Sequence, residues 1–197
     1  MPASLISVIG PPASGKTTLA ELLAEELPAG LIREDYAGNP FLAASYLGDR
    51  RFALQSQLYF LFSRLAQLNC QRWPAEGVFV TDYGFCQDAV YAAASLSAAD
   101  MALYRRLAAG AGETVKPPDV LVALSGPVEL LLERIDRRGR GFERSFTGGF
   151  LDGLARAYDA IVADCRCPVI EVDVGKVDIT APEARAGLRR RIREVLG

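Results

Sequence analysis

Short apolar runs alternate with longer amphipathic segments along the chain. The first run, residues 5–9, ends at Gly10, and leucines at helical spacing then follow until Pro28 stops them. Four further runs, each followed by a segment long enough for a crossover, occupy residues 31–32, 78–80, 120–124 and 169–172. Because parallel strands cannot be joined by tight hairpins, this alternation predicts an α/β fold, with a five-stranded parallel sheet and helices on both faces.

A long helix is predicted from about Arg51 to Arg72, because Pro74 and Gly77 break the pattern that follows. The segment is apolar around most of its circumference, which is typical of a helix buried against several neighbours. Gln57 and Arg64 lie about two turns apart on one face of it. A polar pair on a buried helix needs partners, and from the pattern alone a structural hydrogen bond and ion pair is the simplest interpretation.

Two further helix starts carry capping residues. Ser97 and Asp100 precede one apolar segment, and residues 180–183 match a capping box ahead of the last helix. That last helix carries arginines from Arg185 to Arg193, a run that predicts a solvated face rather than an anion-binding surface.

The composition is that of an ordinary globular domain. The chain has 197 residues, a net charge of −2 and no histidine, so we expect one domain spanning 1–197 and no nucleic-acid partner. The N-terminus lacks a basic region ahead of its short apolar run, and no apolar stretch reaches the roughly 18 residues of a membrane span. We therefore expect a soluble, cytoplasmic protein with no membrane partner.

The reactive side chains are limited in type. Cys70 and Cys86 lie in apolar stretches, and Cys165 and Cys167 form only a C-x-C, so we expect four reduced thiols that are buried or incidental. Without histidine, any proton transfer must use Asp, Glu, Lys, Tyr or Cys.

The most specific motif is a phosphate-binding loop. Residues 10–17 fit G-x-x-x-x-G-K-[ST] between a predicted strand and a predicted helix, the context that this motif requires. Its backbone N–H groups would point at phosphate oxygens, Lys16 would reach the outer phosphates, and the Thr17 hydroxyl would ligate Mg²⁺. The motif thus predicts binding of nucleotide phosphates with Mg²⁺, but it does not by itself distinguish nucleotide kinases, GTPases and ATPases. The expected nucleotide-binding residues are Gly10, Pro11, Pro12, Ala13, Ser14, Gly15, Lys16, Thr17 and Thr18.

Two other segments carry charges suited to phosphoryl transfer. Asp82 follows an apolar strand and could hold Mg²⁺ through water, although a capping or loop carboxylate is the plainer alternative. Between Glu133 and Arg144 several arginines surround two glycines, which predicts a lid at about residues 134–146. Such a lid would bring guanidinium groups to the transferring phosphoryl group and exclude water; the alternative is a solvated basic loop.

Taken together, these spacings resemble the deoxynucleoside kinases, in particular their bacterial deoxyadenosine/deoxyguanosine kinase branch. The resemblance covers most of the chain, from the phosphate-binding loop to about Tyr158. It is carried by Glu34 ahead of 39–42, Tyr46, the helix 52–64, 80–83 with Asp88, and 134–140 with Glu143.

The resemblance implies a P-loop nucleotide-kinase-like three-layer fold and a role for each matching residue. Glu34, at the end of the second strand, would take the proton from the deoxyribose 5′-hydroxyl as it attacks the γ-phosphate of ATP, with Asp35 as its adjacent competitor. The lid arginines Arg134, Arg138 and Arg140 would stabilise the transferring group together with Lys16.

The resemblance also implies how a deoxynucleoside would be bound. Gln57, Arg64 and Asp88 match the residues that recognise the base, and Tyr46 and Glu143 match those that bind the sugar 3′-hydroxyl. The branch implies a purine substrate, used in nucleotide salvage. Family members are commonly dimers, which implies a homodimer through the long helix and the Ala-rich segment 89–94.

The resemblance departs from the common pattern at Tyr83, where many members carry an arginine beside the acidic residue. A phenol cannot supply that charge, so either the lid arginines compensate or transfer is slower. We expect Asp82 and Tyr83 at the substrate site in either case.

Two other functions stay open. A nucleoside monophosphate kinase of the thymidylate-kinase type would share the phosphate-binding loop and the lid, but it needs a clamp for the acceptor phosphate, and residues 34–42 offer acid and amide groups instead of a second arginine cluster. A noncatalytic nucleotide-binding module is the alternative from another class.

Overall fold

The computed structural model describes residues 2–197. It contains five strands: β1 (Ser4–Ile9), β2 (Gly30–Ile32), β3 (Val78–Thr81), β4 (Val120–Ser125) and β5 (Val169–Asp173). Its α-helices are α1 (Lys16–Glu26), α2 (Leu42–Tyr46), α3 (Ala53–Gln67), α4 (Asp88–Ser95), α5 (Ala98–Gly112), α6 (Val128–Arg138), α7 (Gly148–Asp164) and α8 (Pro182–Leu196). Short 3₁₀ turns occupy Arg50–Phe52, Cys70–Arg72, Phe85–Gln87 and Gly141–Ser145.

The strands form one parallel sheet in the order β2-β3-β1-β4-β5. The predicted fold class is confirmed, because every predicted strand is present and every pairing is parallel. With β1 at the centre, the carboxyl ends of β1, β2 and β3 lie side by side, and that edge is where ligands bind in open α/β sheets.

Helices cover both faces of the sheet. On one face α1 and α8 pack against the sheet through Leu19, Leu23, Leu188 and Ile192. On the other face α6 and α7 pack against it, with Leu131, Leu151 and Leu154 in their core cluster. A third cluster joins α3, α4 and α5. The central strands are therefore buried on both sides, as in other parallel sheets.

Three local expectations need correction. The long helix ends at Gln67 rather than near Arg72, because a 3₁₀ turn capped by Asn69 takes over. The capping box at 180–183 does not form: the Thr180 hydroxyl donates to Asp178 at 2.6 Å, and α8 starts with a proline and no side-chain cap. Cys70 and Cys86 are free as expected, but they are exposed rather than buried.

Within residues 2–197, no helix combines the length and hydropathy that a membrane crossing requires.

Candidate active site

The phosphate-binding loop joins β1 to α1 as predicted. Gly10 and Gly15 have φ of 146° and 98°, a range that glycine adopts without strain. A side chain at Gly10 would also meet the Leu124 carbonyl oxygen at 2.5 Å, so only glycine fits there. Lys16 Nζ donates to the carbonyl oxygens of Gly10 and Pro11, both at 2.9 Å. The lysine thus lies against the loop, in reach of any phosphate bound to it.

Asp82 connects three segments, those that follow β1, β2 and β3. Its Oδ2 accepts a hydrogen bond from the Thr17 hydroxyl at 2.6 Å, and its Oδ1 accepts one from the Glu34 backbone N–H at 2.7 Å. The carboxylate therefore fixes Glu34 relative to the phosphate-binding loop. The hydroxyl of Thr17 and the carboxylate of Asp82 are hard oxygen donors of the kind that Mg²⁺ prefers.

Burial changes the acid–base behaviour of Lys16. Loss of hydration lowers its pKa to about 8, although the nearby carboxylates of Glu34 and Asp82 oppose that change. The ammonium is therefore poorly solvated by the protein alone, and a polyanion bound beside it would restore the favourable environment of the charge.

Arg64 bridges two acidic residues at the other end of the pocket. One guanidinium nitrogen donates to Glu34 and another donates to Asp88. Arg64 and Asp88 are both almost completely buried. Although burial by itself lowers the pKa of Arg64, the two carboxylates raise it above its ordinary value, so the guanidinium stays charged. Burial raises the pKa of Asp88 to about 7, with Arg64 opposing.

Several buried polar atoms at this end have no protein partner within residues 2–197. They are both amide atoms of Gln57, Oδ2 of Asp88 and Nε of Arg64. Gln57, Arg64 and Asp88 all line the pocket together with Glu34 and Lys16. Because a buried polar atom without a partner is costly, this cluster indicates a ligand whose own donors and acceptors complete it. Alternating donors and acceptors on the edge of a planar heterocycle would do so.

The lid lines one side of the pocket. The Arg138 guanidinium pairs with the buried Glu143, and Arg140 lies 3.7 Å from the same carboxylate. Arg140 also donates to the Tyr36 hydroxyl at 2.9 Å and stacks over its ring, with its central carbon 4.2 Å from the ring centre. The lid is thus tied to the segment after β2, and Arg138 and Arg140 line the pocket, whereas Arg134 does not.

Tyr46 lies at the lid side of the pocket as well. Its ring contacts Phe142 and Phe146, and the Ser145 hydroxyl donates to its backbone carbonyl at 2.6 Å. Tyr46 and Glu143 therefore both line the pocket.

A second depression lies on the other side of the phosphate-binding loop. It is lined by Thr18, Arg134 and Arg138, and by the loop residues 178–180 that follow β5. Ile179 of that loop contacts the position of Gly15, where an added side-chain carbon would meet it at 2.8 Å. A nucleotide with phosphates on the loop has room for its base here. Residues 178–180 carry no motif of their own and could not be predicted from the sequence.

Tyr83 lies outside the pocket. It is fully buried, its hydroxyl donates to Gln67 Oε1 at 2.6 Å, and the Arg64 guanidinium lies over its ring. The expectation that Tyr83 touches the substrate is thus not met: it packs behind Arg64 instead.

Asp35 does not line the pocket either, because its carboxylate accepts from the Gly38 N–H and the Tyr59 hydroxyl. The other expected acceptor-site residues lie together at the pocket. Sequence reasoning missed the apolar and aromatic part of the lining. The missed residues are Tyr36, Leu42, Phe60, Tyr91, Phe142 and Phe146.

Comparison with known proteins points to one family. A family model described as deoxynucleoside kinase matches residues 6–196. The deoxyguanosine kinase of Bacillus subtilis is 27% identical over 87% of this chain and 86% of its own length. The deoxyadenosine/deoxycytidine kinase of the same organism is 29% identical over 91% and 87%. The deoxyadenosine kinase of Lactobacillus acidophilus is 31% identical over 73% of this chain and 70% of its own length.

Solved structures share the fold. The deoxyadenosine kinase of M. mycoides with bound dATP has a TM-score of 0.83 to this chain at 18% identity, and the alignment covers 96% of this chain and 99% of that one. The three-layer arrangement around a five-stranded parallel sheet is therefore that of a P-loop kinase.

Proposed function

The chain belongs to the deoxynucleoside kinase family and phosphorylates deoxynucleosides, and from that premise we propose that its acceptor is a purine deoxynucleoside and its donor is ATP. The observation that carries the proposal is the arrangement of the pocket. It joins a phosphate-binding loop, the carboxylate of Glu34 and a cluster of unpartnered amide, guanidinium and carboxylate atoms. Curated relatives named as deoxyguanosine and deoxyadenosine kinases support a purine.

The reaction needs a base, and Glu34 is the carboxylate suited to that role. The 5′-oxygen of the acceptor would attack the γ-phosphorus as Glu34 takes its proton; the bond from that phosphorus to the bridging oxygen breaks, and ADP leaves. Asp82 holds the backbone of Glu34 at 2.7 Å, which keeps the carboxylate near the phosphate-binding loop. Lys16 and the arginines Arg138 and Arg140 would stabilise the negative charge on the transferring group.

The donor would bind with Mg²⁺. Thr17 and Asp82 would hold the ion, Thr17 through its hydroxyl and Asp82 through water. When bound, Mg²⁺ neutralises charge on the phosphate oxygens. The depression beside residues 178–180 would take the base of ATP, with Arg134 next to it.

The acceptor base would lie at the end of the pocket formed by Gln57, Arg64 and Asp88. The Gln57 amide offers one donor and one acceptor side by side, and Asp88 offers a free oxygen whose pKa near 7 allows it to accept or to donate. Tyr46 and Glu143 would bind the 3′-hydroxyl of the sugar.

We also propose a homodimer in the cytoplasm. Phe62 on α3, and Leu103 and Leu107 on the neighbouring α5, are large apolar side chains that are exposed in the single chain. A self-associating surface on α3 and α5 would cover them. The four free cysteines fit a reducing compartment. Light scattering at micromolar concentration checks the dimer, and a monomeric mass would contradict it.

The test of the proposed reaction is a Mg²⁺-dependent assay with ATP and each of the four common deoxynucleosides. We expect purine deoxynucleosides to give the highest kcat/KM, and Glu34→Gln to lose most of the activity. Asp35→Asn is the matched control, since the neighbouring acid lies outside the pocket, and it should stay active. Loss of activity in Asp35→Asn with retention in Glu34→Gln would reverse the assignment of the base.

A further inference from the structure

Gln87 is a buried polar residue that neither the phosphate-binding loop nor the base-binding cluster includes. It is the last residue of the 3₁₀ turn Phe85–Gln87, directly ahead of Asp88 on α4. Its side chain is almost completely buried, with 1% of its surface exposed. Its Nε2 donates to Glu34 Oε1 at 3.2 Å. A neutral amide thus contacts the carboxylate that we propose as the base.

The protein donors to the Glu34 side chain converge on one oxygen. Oε1 accepts from Gln87 Nε2 and from the Arg64 guanidinium. Oε2 receives no hydrogen bond from residues 2–197. Because a carboxylate has two oxygens and the protein occupies one, Oε2 is the atom left to accept a proton from a bound acceptor.

Arg64 alone would not fix the orientation of the Glu34 carboxylate. Its guanidinium is shared with Asp88 through another nitrogen, so it fixes the position of Oε1 but leaves Oε2 free to turn about the Oε1 contact. Donors to an sp² oxygen prefer to lie near the plane of the carboxylate, so a second donor to Oε1 from a different element, the turn that carries Gln87, restricts that plane and with it the position of Oε2.

Stability does not account for a glutamine at this position. The Oε1 atom of Gln87 is buried and has no hydrogen-bond partner within residues 2–197. Such an atom costs free energy on burial, so a methionine of similar length would fill the same space without that cost. The amide is useful through its donor to Glu34.

We infer that Gln87 is a positioning residue that orients the Glu34 carboxylate so that Oε2 faces the 5′-hydroxyl of the acceptor. The inference rests on the proposed role of Glu34 as the base. Gln87 does not touch the substrate; it acts through Glu34. A misplaced base slows proton transfer without changing how the acceptor or donor binds.

The test compares Gln87→Met with the unmodified protein in single-turnover phosphoryl transfer. We expect the rate to fall about tenfold, since loss of orientation at a reacting group has effects of this order. KM for the deoxynucleoside should change less than about twofold, and the melting temperature should stay the same or rise. The control Gln67→Met removes a glutamine bonded to Tyr83 and to the Arg33 backbone, and it should lower the melting temperature while leaving the rate unchanged.

A double-mutant cycle separates this inference from the proposed reaction. In the Glu34→Gln background, Gln87→Met should produce no further loss, because the carboxylate base that Gln87 orients has already gone. A fall in melting temperature with an unchanged rate, an effect on KM alone, or the same fold-loss in both backgrounds would overturn the role of Gln87. An unchanged rate in Glu34→Gln by itself would instead overturn the assignment of Glu34.

Discussion

The pocket has a phosphate side, formed by residues 10–17 and Asp82, and a base side, formed by Gln57, Arg64 and Asp88. The two sides differ in how many of their polar side-chain atoms already have a protein partner. On the phosphate side, the functional groups of Lys16 and Thr17 are already bonded to the protein, through the loop carbonyls and through Asp82. On the base side, Gln57 has no partner for either amide atom, and Asp88 has a free buried oxygen. Lys16 and Thr17 are thus hydrogen-bonded without a ligand, although the buried Ser14 hydroxyl of the same loop has no partner, whereas Gln57 and Asp88 keep unpaired buried atoms.

This difference separates affinity from selectivity. The phosphate site accepts any triphosphate of suitable shape, because backbone N–H groups and a lysine recognise charge rather than a base. Each unpartnered buried atom on the base side costs about 1–3 kcal/mol, so a ligand that fails to pair with it is rejected by a similar amount. Selectivity for the acceptor should therefore lie in Gln57, Arg64 and Asp88.

The largest expected effect comes from removing the charge that joins the two sides. Arg64→Met leaves the buried Asp88 and the pocket carboxylate of Glu34 without their shared partner, which should destabilise the protein by about 3 kcal/mol and abolish most activity. Thermal denaturation should show a melting temperature lower by about 6–12 °C. The control Arg137→Met removes an exposed arginine paired with Glu133 and should change stability by less than about 1 kcal/mol. Equal effects of the two changes would contradict the account.

A second change should affect selectivity without lowering stability. Gln57→Leu removes two unpartnered buried atoms, so the folded state should be as stable as before or more stable. The variant should lose about 100-fold in kcat/KM for the preferred deoxynucleoside, as expected for the loss of two hydrogen bonds to the base. KM for ATP should not change.

The control for Gln57 lies two residues away on the same helix. Gln55 is exposed, and Gln55→Leu should leave the stability, kcat/KM for the deoxynucleoside and KM for ATP unchanged. A fall in stability of Gln57→Leu without a change in kcat/KM would show that Gln57 is structural.

The phosphate side should respond to pH instead. The ammonium of Lys16 is protonated below its pKa of about 8 and neutral above it, so ATP should bind with full affinity below that pH and more weakly as pH rises through it. We expect Kd to be roughly tenfold higher at pH 9 than at pH 7, since one pH unit beyond the pKa corresponds to a factor of ten. Calorimetric titration with ATP measures this dependence. Lys16→Arg, charged throughout the range, should bind with a flat profile, and a sloping one would assign the effect to another group.

The smallest effect should come from Tyr83, which packs against Arg64 and lies outside the pocket. Tyr83→Phe removes its hydrogen bond to Gln67 and should reduce stability by about 1 kcal/mol, with kinetic constants unchanged. Chemical denaturation combined with steady-state kinetics checks both parts. A changed KM for the acceptor would instead show that Tyr83 contributes to substrate binding.

The same difference explains how much the sequence revealed. The phosphate side is local: residues 10–17 form one contiguous motif between a strand and a helix, and they could be assigned directly. The base side is assembled from α3 and α4, which are separated in the sequence, so its residues could be assigned only through the resemblance to a family. Gln57 and Arg64 were visible as polar residues on an apolar helix, but their partners were not.

Other features left no pattern to follow. Gln87 lies in a short 3₁₀ turn without periodicity, and residues 178–180 reach the phosphate-binding loop only because β5 and β1 share a sheet. The capping box at 180–183 failed because the Asp178 side chain competes for the Thr180 hydroxyl, a contact with no weight in the motif. The aromatic lining of the pocket resembles ordinary core residues in sequence.

The most direct test of the central claim is a competition between a purine deoxynucleoside and its own 5′-monophosphate as acceptors for labelled ATP. The base side and Glu34 should accept the deoxynucleoside, giving the 5′-monophosphate as product. They should reject the monophosphate, because its two negative charges would face the Glu34 carboxylate while Arg138 is already paired with Glu143. Transfer to the monophosphate alone, or ATP binding without transfer to either acceptor, would contradict the account.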